Sequence, residues 1–165
     1  MKRTSILILV LSLTLFALCS CASTEARETG ADSGAVEGIA QIFPAENAGD
    51  SSYNTGESHL SVLKFSGNNM ITSFRFEKGA RNYWHSHPDA EQTLMILSGE
   101  AYYQEEGQPK QLLRAGDVVV TAANVKHWNG ATENSACACL TVSEKNDKEH
   151  AVWYAPVSDE EFVAN

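Results

Sequence analysis

The fold of this chain is decided by the stretch HSHPDAEQ, which occupies residues 85–92. Its two histidines, His85 and His87, are separated by a single residue. Side chains on an extended segment alternate between its two faces, so both imidazoles point to the same side. Neutral imidazoles are the commonest protein ligands for divalent transition metals. The stretch therefore predicts two neighbouring ligands of a metal site on a β-strand.

A third histidine, His127, lies some thirty residues after this stretch and would complete a three-histidine set. An oxygen ligand from Gln92 or Glu91 would leave positions open for water and substrate. Open positions are typical of functional metal sites, whereas a structural site is closed by its protein ligands. The competing interpretation is three unrelated histidines, each satisfied within the core, but a histidine pair with this spacing argues against it.

Short apolar runs separated by Gly, Asn, Asp and Pro fill the chain from Val36 onward. Breaks of this kind mark turns, for example Asn129-Gly130, so the runs between them predict an antiparallel sandwich or barrel. Ser158 followed by Glu161 has the order of a capping box and predicts a short helix near the end. Strands are predicted at residues 60–65, 71–77, 93–97, 101–104, 111–113, 118–121 and 137–142.

Residues 1–20 have the organisation of an export signal: two basic residues and then an apolar run that is too short to span a bilayer. The cysteine pair at its end resembles a lipobox, in which Cys21 is lipidated and becomes the first mature residue. We therefore expect a lipoprotein, anchored by its lipid and facing the periplasm or the cell exterior. The alternative is cleavage after Ala22, which would release a soluble secreted protein.

The remaining chain divides into a flexible tether at residues 21–35, which has almost no apolar bulk, and one domain at residues 36–165. Without the signal, 10 basic residues stand against 21 acidic ones. A chain with such an excess of negative charge is repelled by nucleic acid, so no nucleic-acid partner is expected. The two later cysteines, Cys137 and Cys139, are poorly placed to bond each other and read as small core residues.

The spacing of glycines and histidines resembles the two motifs of the cupin superfamily. The first motif is matched by Gly79, His85, His87, Gln92 and Gly99, and the second by Gly116 and His127, although Ala122 and Asn124 replace its usual Pro and Gly. The resemblance implies an all-β cupin fold, a double-stranded β-helix or jelly-roll-like barrel, with a short C-terminal helix. It also implies a possible role for an edge strand in forming a homodimer.

Closer resemblance is to small bacterial cupins, a group that includes manganese-dependent hydroxynitrile lyases and cupins associated with carboxymuconolactone decarboxylases. It implies one divalent metal ion on His85, His87, Gln92 and His127, with manganese first and iron, nickel or zinc as alternatives. Counting back from the motif glycine selects Gln92, and alternation then turns Glu91 to the opposite face. A one-residue bulge would reverse that choice.

The chain departs from the lyase-like members at two positions. Those members usually carry a second histidine where this chain has Asn129, and a cavity histidine where this chain has Cys139. An amide is no base at neutral pH, and a thiol titrates higher than an imidazole. The departures argue against lyase chemistry, and they make Asn129, Cys139 and the neighbouring Trp128 the candidates for pocket residues.

The expected function is that of a metal-dependent enzyme acting on a small organic molecule, with lyase-like, decarboxylase-like or dioxygenase-like chemistry. The alternative is a lipoprotein that binds a small ligand on its metal without turning it over. A metal-free cupin that serves as a structural element is a third possibility. Fold-level resemblance does not choose among these, because one fold can host many chemistries.

Overall fold

The computed structural model describes residues 42–144 and 150–164. The predicted signal, tether and lipidation site at Cys21 lie outside the described residues, so they remain predictions. Within these ranges the chain forms twelve strands and one helix. They are β1 (Asn47–Ala48), β2 (Asn54–Thr55), β3 (Ser58–Ser66), β4 (Asn69–Phe76), β5 (Arg81–Asn82), β6 (His85–Ser86), β7 (Gln92–Glu105), β8 (Gln111–Arg114), β9 (Val118–Thr121), β10 (His127–Ala131), β11 (Cys137–Glu144), β12 (Val152–Trp153) and α1 (Asp159–Val163).

All strand pairs in the described part of the chain are antiparallel, and they form one curled sheet with the order β1-β3-β4-β11-β7-β10-β5-β2. The long strand β7 joins its two halves. Residues at its start pair with β9 and β11, and residues at its end pair with β8 and β10. Gly99 lies where β7 passes from one half to the other. It has φ 74°, and a Cβ atom there would lie 1.9 Å from the carbonyl oxygen of Ala136.

The predicted strands are found in place, with residues 93–97 and 101–104 joined into the single strand β7. The prediction of a turn at Asn129-Gly130 is wrong, because both residues lie inside β10, which is buried along its whole length. Gly130 is required there by close packing rather than by a turn. A Cβ atom on it would lie 2.5 Å from the Cα atom of Arg81 on β5.

Facing side chains of β3, β4, β11 and β7 fill the interior in layers. The layer near the start of β7 contains Val62, Thr72, Thr141 and Leu94, and the next layer contains Leu60, Phe74, Cys139 and Ile96. In the second layer Cys139 and Ile96 belong to the main core, together with Phe76, Ala101 and Tyr103, and Phe74 packs against it. The first layer therefore contains two threonines beside its apolar side chains, whereas the second contains none.

The C-terminal helix α1 covers a second apolar cluster formed by Trp84, Trp128, Val157 and Phe162. The predicted capping box is confirmed: the Ser158 hydroxyl accepts from the Glu161 backbone N–H, and the Glu161 carboxylate accepts from the Ser158 backbone N–H. Arg81 ties the helix to the sheet through a 2.7 Å ion pair with Asp159. No helix in the described part of the chain has the length and apolar character of a membrane span.

Candidate metal centre

The three motif histidines meet inside the curled sheet. His85 on β6 pairs directly with His127 on β10, and His87 follows two residues after His85. Their side-chain nitrogens lie within 4.8 Å of one another. His85 is 3% exposed, His87 is 5% exposed and His127 is fully buried. The structure thus brings together the three histidines that the sequence selected.

Each of the three imidazoles is oriented by a backbone carbonyl. His85 Nδ1 lies 3.0 Å from the carbonyl oxygen of Tyr83. His87 Nδ1 lies 2.8 Å from that of His150, and His127 Nδ1 lies 3.0 Å from that of Val125. A carbonyl oxygen only accepts, so each neutral ring carries its proton on Nδ1 and donates it. The lone pair of each ring is then on Nε2, as in histidines that bind a metal through this atom.

Gln92 lies at the start of β7 with its amide against two of these rings, whereas the neighbouring Glu91 is exposed. The Gln92 Nε2 atom lies 2.8 Å from His87 Nε2, and its Oε1 atom lies 3.2 Å from His127 Nε2. Strand alternation therefore turns Gln92 inward and Glu91 outward, in the phase that the motif spacing indicated.

The donor set fits a cation. With Nε2 of both His87 and His127 acting as acceptors, the Gln92 amide can donate to only one of them. Its carbonyl oxygen then faces the lone pair of the other, whichever way the amide is turned. Two acceptors at this distance repel each other unless a cation binds both. A divalent ion held by these oxygen and nitrogen atoms would remove the conflict.

Burial keeps the histidines neutral. Desolvation, followed by the charges of His127 and His87, lowers the pKa of His85 well below its ordinary value. Desolvation also lowers the pKa of His87, and it lowers the pKa of His127 to about 4. At neutral pH the three rings are therefore in the form that binds metal.

A cavity of about 210 Å³ opens beside the histidines. This is below the range of roughly 300–1,000 Å³ that is usual for pockets holding drug-sized ligands. Its apolar wall is formed by Leu60, Val62, Met70 and Phe74. On another side Trp153 stacks on His85, with ring centroids 4.8 Å apart, and on Tyr53, with centroids 4.6 Å apart. The cavity is suited to a small molecule with an apolar body.

Of the three predicted pocket candidates, Asn129 lines the cavity and Trp128 does not. The two residues are neighbours on β10, so their side chains point to opposite faces of the sheet. Asn129 shares the inner face with His127. Trp128 is directed outward, where it packs beneath α1 and donates from Nε1 to Gln104 Oε1 at 3.0 Å. Its role is packing in the second apolar cluster.

The interpretation of Cys139 as a pocket residue is not supported, because its side chain is absent from the cavity lining formed by the described residues. It faces the interior but lies in the apolar layer between Phe74 and Ile96. Burial and the neighbouring Cys137 thiol raise its pKa well above the ordinary value. On β11 the residue that lines the cavity is Thr141, one layer closer to the histidines.

Several lining residues were not singled out from the sequence. His150 is half-buried; its carbonyl orients His87, and its Nε2 atom lies 3.3 Å from the Ser143 hydroxyl. Asn82 and Thr72 also line the cavity. No motif marks these three positions. Alternation from His85 does not reach Asn82, because the chain between β5 and β6 is not regular strand.

Comparison with known proteins agrees with this architecture. A model of the cupin domain matches residues 72–143. The chain is 38% identical over 90 residues to a protein named (R)-mandelonitrile lyase from Granulicella tundricola. The matched region covers 54% of this chain and 68% of that protein. A solved cupin-like protein from Thermotoga maritima is 34% identical with a TM-score of 0.70, covering 74% of this chain and 95% of that one.

A solved DMSP lyase from Ruegeria pomeroyi is 23% identical with a TM-score of 0.53, covering 62% of this chain and 54% of that one. At this identity the likeness concerns the fold alone. The motifs, the curled antiparallel sheet and these matches show that the chain belongs to the cupin superfamily.

Proposed function

We propose that this cupin is a metal-dependent enzyme that acts on a small organic molecule. One observation carries the proposal: three buried imidazoles, each held by a backbone carbonyl on Nδ1, turn their Nε2 lone pairs toward one another. His85, His87, His127 and Gln92 would hold the ion. An ion with three imidazoles and a neutral amide keeps its full charge and supplies Lewis acidity toward a substrate oxygen when bound.

Manganese is our first choice for the ion, with iron, nickel or zinc as alternatives. Imidazole ligands suit iron, nickel and zinc, while an amide oxygen also suits manganese. The relative named (R)-mandelonitrile lyase supports lyase-like chemistry. Decarboxylase-like and dioxygenase-like reactions fit the same ligand set, and iron would favour the latter.

The residues of the chain have separate roles in this proposal. The carbonyl oxygens of Tyr83, Val125 and His150 fix the direction of the imidazoles. The apolar wall excludes water from the body of the substrate, which strengthens polar interactions at its other end.

The second candidate is a protein that binds a small ligand at its metal without turnover. It is favoured by the absence of a base at the two positions where lyase-like members carry histidines, since Asn129 is an amide and Cys139 is a buried thiol outside the cavity lining. The two candidates differ in turnover. Metal-loaded protein is incubated with small carboxylic acids and with cyanohydrins, including mandelonitrile, and product is compared with bound ligand. Multiple turnovers support the enzyme, whereas stoichiometric binding alone supports the ligand-binding protein.

We also propose that the protein is exported and anchored by lipid at Cys21, on the basis of the signal and the lipobox-like sequence. Replacement of Cys21 with Ser is expected to leave an unprocessed precursor or to release the protein from membranes. Mass spectrometry of the mature N-terminus provides the test. An unmodified N-terminus at Ser23 would show simple secretion instead.

A further inference from the structure

Two asparagines of the cavity wall form a reciprocal pair. Asn82 is the last residue of β5, and Asn129 lies in the middle of β10; they are 7% and 4% exposed. The backbone N–H of Asn129 donates to Asn82 Oδ1 at 2.8 Å. The Asn82 Nδ2 atom donates in return to Asn129 Oδ1 at 3.0 Å. Both side chains line the same cavity as His85 and His87.

This pairing fixes which way both amides are turned. A backbone N–H can only donate, so the atom of Asn82 that faces it must be the oxygen. The nitrogen of Asn82 must then face Asn129, and the atom it meets there must be the Asn129 oxygen. The usual ambiguity between amide oxygen and nitrogen is thereby removed. The Asn129 Nδ2 group, with two N–H donors, is left over.

The leftover amide has no acceptor among the described residues, and it is not sealed from the cavity. Asn129 is only 4% exposed, so this donor faces the cavity and not bulk solvent. Buried donors without partners destabilise a fold, so a native structure that keeps them calls for an explanation. A bound molecule with an acceptor group provides one.

The rest of the cavity limits what that molecule is. Its described lining has no Lys or Arg, and its one carboxylate is that of Asp50. Apart from the metal ion of the proposed function, the described lining therefore offers no cation for a carboxylate or phosphate group. The wall formed by Leu60, Val62, Met70 and Phe74 accommodates an apolar body. This chemistry favours an uncharged molecule with an apolar part and one carbonyl, hydroxyl or nitrile acceptor.

We infer that Asn129 Nδ2 donates a hydrogen bond to the acceptor atom of such an uncharged molecule, and that Asn82 is a positioning residue that holds this amide in place. The inference rests on the proposed function, in which the same cavity contains the metal. A neutral amide donor can stabilise negative charge that develops on an acceptor oxygen, as donors of an oxyanion hole do. It does not take up a proton, so its role is binding and orientation.

The test uses two probes of nearly equal shape, acetophenone and α-methylstyrene, in which a carbonyl oxygen is replaced by a methylene group. Their dissociation constants are measured by ligand-observed NMR on the full chain as purified, with zinc added and with EDTA. A hydrogen bond from an otherwise unpaired buried donor predicts that acetophenone binds about 3–10-fold more tightly. Asn129→Leu, of similar shape, is expected to remove the preference.

Asn82→Asp provides a variant of unchanged shape. A carboxylate still accepts from the Asn129 backbone N–H but cannot donate to Oδ1, so the Asn129 amide turns and presents its oxygen to the cavity. The acetophenone preference is expected to vanish, an effect that loss of packing would not produce. Asn69→Leu, at an exposed position outside the cavity, is the matched control and keeps the preference.

Metal content is measured on the same samples, so the two proposals fail separately. Absence of bound metal in the wild type would overturn the proposed function. Equal binding of the two probes by the wild type, failure of both to bind, or a preference that survives Asn129→Leu and Asn82→Asp would overturn the role of the asparagines.

Discussion

Acidification of the metal-free protein is expected to destabilise it in a pH range where few carboxylates change their charge. Burial lowers the pKa of His127 to about 4, from the ordinary value of 6.5. Between these values the unfolded chain binds a proton that the folded chain does not. The stability that His127 contributes is therefore fully present above about pH 6.5 and is lost as the pH falls toward 4.

The size of the effect follows from the separation of the two pKa values. At about 1.36 kcal/mol per unit, His127 alone accounts for a loss of about 2 kcal/mol in the free energy of unfolding between pH 7 and pH 5. The loss reaches about 3 kcal/mol near pH 4. His85 and His87, whose pKa values are lowered in the same direction, add to it.

The assay is urea unfolding in EDTA at pH 7, 6 and 5, followed by tryptophan fluorescence. Asn69→Leu, which changes an exposed residue outside the cluster, is the control and should keep the same pH dependence. An unfolding free energy that stays constant from pH 7 to pH 5 would refute the reasoning, because it would mean that these imidazoles are not buried in the neutral form.

Other predictions follow from single positions. Gln92→Ala is expected to weaken metal binding by about 10-fold or more, whereas Glu91→Ala should leave it near the wild-type value; the reverse result in a metal titration would show that the strand phase is wrong. Gly99→Ala should prevent stable folding because its Cβ would meet the Ala136 oxygen, while Gly107→Ala, with a similar φ of 76° but open space around it, should lower the melting temperature only slightly. Cys139→His should destabilise the protein by roughly 1–3 kcal/mol without creating cyanohydrin cleavage; a folded variant that cleaves mandelonitrile would contradict the placement of this residue in the apolar layer.

The main features of the fold were predictable because they depend on local patterns. Alternating apolar runs and turn residues locate most strands, and the order of Ser158 and Glu161 gives the helix start. The exception is β10, where Asn129 and Gly130 have the composition of a turn. They lie in a strand that is buried on both faces, and the close approach of Arg81 leaves no room for a side chain at Gly130. A sequence pattern does not record such tertiary packing.

The histidine cluster was predictable for the same reason, since the motif spacing places three imidazoles and Gln92 on inward positions. Its surroundings were not. Asn82 and His150 reach the cavity through irregular chain, where alternation provides no phase. Cys139 shows a further limit: alternation gives the face of a strand but not which inward residues reach the cavity, and Phe74 of the same layer lines it while Cys139 does not.

The most direct test of the central claim is the metal content of the full-length wild type and of His87→Ala, both purified without chelators and titrated with manganese. We expect the wild type to bind one equivalent. Loss of one ligand should weaken binding by more than about 100-fold, with melting in EDTA little changed. His150→Ala is the matched control, because the group that orients His87 is the backbone carbonyl of His150, which this variant retains. Equal metal content in the wild type and His87→Ala, or no metal in either, would contradict the account.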